Sequence, residues 1–188
     1  MFGVLSSYVF RKYKADLMDV FTRKSDLVLE IGCGPKHYER YCRGEYVGID
    51  IAFDPDLKAS AAMLPLKSDS FDSIFAFDVL EHMSNLKIAL EECNRVLKNG
   101  GKLIVITPNS LGFGIGDSYI DKTHKHHATW TSMENALSKS GFERYIRVPL
   151  HLHFFKPLRF IKLEKLTVLQ QSICLVATKT AHANTVSD

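Results

Sequence analysis

The sequence predicts an α/β fold built on a mostly parallel sheet, and three observations carry that prediction. Leu27-Val28-Leu29-Glu30-Ile31 is an apolar strand that runs directly into the glycine turn Gly32-Cys33-Gly34-Pro35. Further apolar runs at residues 46–49, 71–77 and 102–107 are separated by segments of helical or turn character. The chain's 188 residues and 46% hydrophobic content suffice for a well-buried core and suit a single domain, residues 1–188. A glycine turn at the carboxyl end of a first parallel strand is where open α/β sheets bind ligands. Gly32 and Gly34 suit that task because they carry no side chain to hold a ligand off the backbone and tolerate dihedrals closed to other residues.

Composition narrows the function classes. The net charge of +3 is small and its basic residues are dispersed, whereas a nucleic-acid binder shows a clustered basic face; nucleic acid is therefore an unsupported partner. Cys33, Cys42, Cys93 and Cys174 have neither metal-ligand nor redox spacing and read as reduced thiols of a cytoplasmic protein. At the amino terminus Arg11, Lys12 and Lys14 follow the apolar run, the reverse of a signal peptide. No segment has the apolar length of a membrane span.

Taken in order, Leu5, Val9, Tyr13, Leu17 and Phe21 recur at helical spacing and predict an amphipathic helix within residues 1–24. After the first strand, residues 36–42 predict a short helix. The second strand ends at Asp50, and residues 52–58 are too few for a full crossover helix. Residues 71–77 form the fourth strand. Ser84 or Asn85 caps a helix over 86–97, whose Leu86, Ala89, Leu90, Cys93, Val96 and Leu97 make one apolar stripe, and Asn99-Gly100-Gly101 stops it. Residues 102–107 are the fifth strand, and 110–129 are the long irregular stretch. A helix over 130–140, a sixth strand through Val148 and a last strand over 172–178 complete the pattern. Between those strands, residues 151–169 mix Phe154, Phe155 and Phe160 with Lys156, Arg159 and Lys162; they read as a helix with its lead-in, or as a face for weak membrane-surface contact. Residues 181–188 are a polar tail.

A dinucleotide-binding turn carries a third glycine that opens the next helix. Here Gly34 is followed by Pro-Lys-His-Tyr, which argues against NAD or FAD. The block Glu30-x-Gly32-x-Gly34 instead resembles the E-x-G-x-G motif of class I S-adenosylmethionine-dependent methyltransferases. Three more blocks follow in that family's order: Asp50 closing the second strand, Leu64-Pro65-Leu66 ahead of Ser70-Phe71-Asp72-Ser73-Ile74, and the stretch from Arg95 through Gly100-Gly101 to Leu103. They span residues 27–107 and resemble the small-molecule-type branch. The resemblance implies a three-layer α/β/α sandwich around a seven-stranded, mostly parallel sheet with one antiparallel strand. It implies S-adenosylmethionine as cofactor and methyl transfer as the activity. By the same resemblance Gly32, Cys33 and Gly34 form the cofactor turn, Glu30 lies near the methionine amino group, and Asp50 accepts both ribose hydroxyls. Ile51, Phe77 and Asp78 complete the cofactor-binding set with the adenine segment. There the family's usual Asp aligns with Ser60, a departure; the serine hydroxyl can accept one hydrogen bond, and the amide of Ala61 or Ala62 can serve the ring nitrogen.

The sulfonium supplies a good leaving group, so such an enzyme must hold a nucleophile in line with the methyl carbon and exclude water. A general base is needed only when the nucleophile arrives protonated. His82, in Asp78-Val79-Leu80-Glu81-His82, reads either as a packing residue or as part of the pocket. Residues 117–127 gather Asp117, Tyr119, Asp121, His124, His126 and His127 after the fifth strand. His124, with Asp121 three residues before it, is the first choice for a base. A solvated loop is the plain alternative, and a metal site on His124 and His126 has no assured third ligand, so no metal is expected. A small-molecule acceptor, with the protein as monomer or homodimer, is the default. The competing reading is a non-catalytic S-adenosylmethionine-binding module acting through a partner.

Overall fold

The computed structural model describes residues 2–111, 119–148, 170 and 172–180, with side chains from residue 11 onward. Helix α1 (Phe2–Val20) precedes β1 (Leu27–Ile31), β2 (Glu45–Asp50), β3 (Leu57–Lys58) and β4 (Phe71–Phe77); α2 (Leu86–Val96), β5 (Leu97–Pro108), α3 (Trp130–Lys139), β6 (Phe142–Arg147) and β7 (Ser172–Lys179) follow. The strands form one seven-stranded sheet in the order β3-β2-β1-β4-β5-β7-β6. Neighbours from β3 to β5 are parallel, and β7 runs antiparallel to both β5 and β6.

Alternation along each strand builds the two sides of the core, because successive side chains point to opposite faces. Leu29, Ile31, Ile74, Ala76, Leu103 and Val105 pack on one face with Leu90 and Cys93 of α2 and Met133 and Leu137 of α3. Val28, Phe75, Phe77, Ile104 and Ile106 pack on the other with Tyr13, Leu17 and Met18 of α1. Both faces of the central strands are thus covered, the three-layer arrangement expected for a parallel sheet. Asn85 caps α2 by accepting from the Ile88 amide at 3.2 Å. Thr129 and Ser132 form a reciprocal capping box at α3.

Three boundaries differ from the sequence expectations. The helix expected over residues 36–42 is a single 3₁₀ turn, Glu39–Tyr41. Lys36, at φ +55°, stands outside the right-handed helical region and prevents a first turn from forming behind Pro35. The helix stop expected at residues 99–101 comes earlier: Leu97 is already extended and opens β5, where it pairs with Phe71 ahead of a register shift. The third strand is two residues long and carries no apolar run that could announce it. Residues 151–169, Asp117 and the 181–188 tail, on which expectations also rested, lie outside the described residues. Among the described residues no helix is long and apolar enough to cross a membrane, and none of the four cysteines is in a disulfide.

Candidate active site

The strand order reverses direction between β1 and β4, and a ligand crevice belongs at the carboxyl ends of the strands beside such a switch. A cavity of about 540 Å³ opens there, lined by Gly32, Asp50, Ile51, Ser60, Ala61, Ala62, Asp78, Val79 and His82 among others. Its size falls within the roughly 300–1,000 Å³ of small-ligand sites.

The turn after β1 has no room for a side chain at Gly32. Gly32 has φ +68°, and a Cβ there would lie 2.5 Å from Val79 Cγ2. Gly34 has φ +51° with nothing within 4 Å of a notional Cβ, so only its conformation favours glycine. The Gly32 and Cys33 amides both donate to Ile49 O, at 2.9 and 3.1 Å, tying the turn to β2. Asp50, at the end of β2, accepts from the Gly34 amide through Oδ2 at 2.9 Å and from the Ala52 amide through Oδ1 at 2.8 Å. Each carboxylate oxygen has a second lone pair, so the fixed carboxylate can still accept from a diol.

The wall on the β2–β3 side is apolar. Ile51 is 71% exposed on the cavity rim, with Phe53 and Met63 exposed nearby in sequence. Ser60 Oγ accepts from the Ala62 amide at 3.3 Å and shapes the segment 60–63. Residues 64–66, which lead on from this wall, are braced by α2. The Leu64 amide donates to Glu92 Oε2 at 2.8 Å, and the Arg95 guanidinium donates to Leu64 O, Leu66 O and Glu92. That is the physical role of the arginine that opens the block before Gly100-Gly101.

Charge collects at the end of β4. Asp78 sits at φ +50° and forms an ion pair with Lys14 of α1, so α1 both covers the core and reaches the site. Glu81 is 2% exposed. Thr107 Oγ1 donates to its Oε2 at 3.1 Å, while its Oε1 is buried with no hydrogen-bond partner. Burial, and then the Asp78 charge, push the Glu81 carboxyl up to about 8. The Lys125 and His126 amides donate to Glu81 O at 2.7 and 3.1 Å, which stitches the segment after β5 onto this turn. That stitch brings His124 against His82, their ring centroids 4.8 Å apart. Thr123 Oγ1 lies 3.0 Å from His82 Nδ1 and donates its single proton to Asp121 Oδ1 at 2.7 Å. With the Thr123 proton so placed, His82 Nδ1 is the donor in the first of these contacts, and in the neutral imidazole Nε2 then keeps its lone pair. Asp121 Oδ2 stands 3.7 Å from His124 Nε2, a contact longer than a hydrogen bond.

A methyltransferase-domain family model matches residues 29–105, from β1 into β5. A probable S-adenosylmethionine-dependent methyltransferase of Mycolicibacterium smegmatis is 32% identical over 104 residues, 55% of this chain and 38% of that protein. One from Mycobacterium tuberculosis is 27% identical over 160 residues, 73% of this chain and 57% of that protein. Over residues 29–105 the chain is similar to the class I S-adenosylmethionine-dependent methyltransferases. The crystal structure of one such protein from Archaeoglobus fulgidus shares its fold, with a TM-score of 0.69 at 21% identity over 90% of this chain and 94% of that one. The chain spans only part of the curated relatives just described, 38% and 57% of their lengths.

S-adenosylmethionine, the cofactor of this methyltransferase family, fits the residues present. The cradle at Gly32, the remaining lone pairs of Asp50 and the exposed apolar face of Ile51 are complementary to a backbone-hugging chain, a ribose diol and a purine. When bound, the cofactor supplies an activated methyl group. Of the residues selected from the sequence, Gly32, Asp50, Ile51, Ser60, Ala61, Ala62, Asp78 and His82 line the cavity together. Glu30, Cys33, Gly34 and Phe77 are not among its lining residues. Glu30 is buried behind the turn and accepts from Tyr46 Oη at 2.5 Å; burial raises its carboxyl to about 7 against the lowering by that bond. Cys33 is 4% exposed, its thiol pushed up to about 11 mainly by burial. The Gly34 amide holds Asp50, and Phe77 packs under Tyr38 with ring centroids 5.4 Å apart. His124 meets His82 rather than His126, whose Nε2 is buried without a partner. Sequence reasoning passed over Glu81; its signal was an acid directly before His82, at a strand end, with a histidine-rich segment to follow.

Proposed function

We propose that the protein transfers the methyl group of S-adenosylmethionine to a small-molecule acceptor that enters beside His82. One observation carries this reading: residues scattered from Gly32 to Asp78 in the sequence converge on a single cavity at the switch point of the sheet. Within that cavity the β2–β3 side offers the diol acceptor Asp50 and the apolar Ile51, suited to the nucleoside. The β4 side offers Asp78, with its charge set against Lys14, suited to the amino-acid end. Asp78 and Gly32 then flank the methionine portion, with Cys33 and Gly34 shaping the turn behind it and Glu30 supporting that turn through Tyr46. Ser60, Ala61 and Ala62 edge the adenine. His82 and His124 are the side chains placed to act on the acceptor. Dispersed basic residues favour a small acceptor over a nucleic acid.

The test has two arms. In a thermal-shift titration S-adenosylmethionine and its demethylated product should raise the melting temperature, and NAD should not. On a panel of small acceptors, release of the demethylated cofactor should then exceed the acceptor-free rate. Stabilisation by NAD alone would overturn the cofactor assignment; cofactor binding without turnover on any acceptor would favour a binding module.

A further inference from the structure

Glu81, His82 and His124 each bring a potential ligand atom into one small volume. One imidazole nitrogen from each histidine and one carboxylate oxygen lie within 4.8 Å of one another. Ligands held at about 2.0–2.2 Å from a common ion stand roughly 3–4 Å apart, so the set is only slightly wider than a bound ion requires. Two further features point to an ion in that volume. The first is Glu81 Oε1, buried in a residue only 2% exposed and given no hydrogen-bond partner. A buried carboxylate oxygen needs a donor or a cation, and the ammonium whose charge reaches Glu81, that of Lys14, already pairs with Asp78. The second is the chain Asp121, Thr123, His82. It makes His82 Nδ1 a donor, so that the neutral imidazole offers Nε2 as an electron-pair donor, and metal-bound histidines are held in this way through their other ring nitrogen.

We propose that Glu81, His82 and His124 form a binding site for a divalent first-row transition cation, with positions left open for an oxygen atom of the methyl acceptor. Two imidazoles and one carboxylate suit Mn²⁺, Fe²⁺, Co²⁺ or Zn²⁺ better than Mg²⁺ or Ca²⁺, which favour oxygen ligands throughout. His82 belongs both to this cluster and to the cavity wall, so an ion here adjoins the cofactor. A hydroxyl bound to such an ion sheds its proton to water more readily than an unbound one. The site therefore selects acceptors that carry a hydroxyl or another oxygen donor. The cation site stands on its own geometry; the acceptor class rests in addition on the methyl-transfer reading.

The experiment is calorimetric titration of the chelator-treated full chain with Mn²⁺ and with Zn²⁺, beside S-adenosylmethionine titrations of the same preparations. The wild type should bind one ion per chain. Glu81→Gln, which keeps the side chain's shape, and His124→Ala should each weaken that binding by at least the roughly 10–100-fold that loss of an outer-shell partner costs. His37→Ala, outside the cluster and in the lining of another cavity, should leave it unchanged. Circular dichroism checks that each variant is folded. Absence of saturable binding, or binding indifferent to both Glu81→Gln and His124→Ala, overturns the site. S-adenosylmethionine binding without ion binding would sink this inference and leave the proposed function standing; ion binding without S-adenosylmethionine binding would do the reverse.

Discussion

Replacing Gly32 by alanine separates two costs that its neighbour Gly34 does not share. Gly32 sits at φ +68° and Gly34 at φ +51°, so alanine at either position must adopt a left-handed conformation, which costs about 1–2 kcal/mol. At Gly32 the new Cβ would also meet Val79 Cγ2 at 2.5 Å and Val79 Cβ at 2.9 Å, both well inside ordinary contact. Forcing a methyl group into such a space costs a further 1–3 kcal/mol or so. Backbone retreat is opposed by the Gly32 and Cys33 amides, which both donate to Ile49 O. Gly32→Ala should therefore lose about 2–5 kcal/mol and Gly34→Ala about 1–2 kcal/mol. Urea unfolding followed by circular dichroism measures both. In a double-mutant cycle, Val79→Ala removes Cγ2 and should recover part of the roughly 1–3 kcal/mol steric loss of Gly32→Ala, the Cβ contact at 2.9 Å remaining, and none of the Gly34→Ala loss. Equal costs for the two glycines, or no coupling to Val79, would refute the steric part of the reasoning.

The remaining predictions concern the surroundings of the cavity. Glu30 has a folded pKa raised from 4.5 to about 7, so the stability tied to its protonated form is full below about pH 4.5 and is lost as pH rises through about 7. Glu30→Gln should thus gain on the wild type by about 3 kcal/mol at most between pH 4.5 and pH 8; a pH-independent difference in unfolding free energy would contradict the assignment. Ser60→Asp should hold or improve S-adenosylmethionine affinity, because a carboxylate accepts a stronger hydrogen bond from the adenine amine; a large loss in a folded variant would place the adenine elsewhere. Arg95→Ala removes the donors that hold Leu64 O and Leu66 O and unpairs Glu92. It should cost about 2–3 kcal/mol in urea unfolding, the upper range for hydrogen bonds to a charged group, and a change below about 0.5 kcal/mol would show that the brace is idle.

Much of this was legible in the sequence because the relevant constraints are local. An apolar strand ending in Gly32 and Gly34, and an acid closing the next strand, announce a crevice before any contact is known, and the structure places Gly32, Asp50 and Ile51 in the lining of one cavity. The capping signals at Asn85 also read correctly, since a side chain three residues from the amide it accepts is a local device. What stayed hidden depended on contacts distant in sequence or on backbone angles. Nothing in Lys36 announces a φ of +55°, yet that angle replaces the expected helix with one 3₁₀ turn. The link between Glu81 and the segment after β5 runs through backbone amides of Lys125 and His126, which carry no sequence signature. Hence the sequence sets His124 beside Asp121, which the fold keeps at 3.7 Å, but gives no sign of its contact with His82.

The measurement that bears most directly on the central claim is calorimetric titration of S-adenosylmethionine into the wild type and Asp50→Ala. Asp50 is oriented by the Gly34 and Ala52 amides, at 2.9 and 2.8 Å, with lone pairs left toward the cavity. One-to-one binding to the wild type, weakened in the variant by about 10–150-fold, or roughly 1.5–3 kcal/mol, is the predicted result. Unchanged affinity in a folded Asp50→Ala variant, or no binding to the wild type, would contradict it.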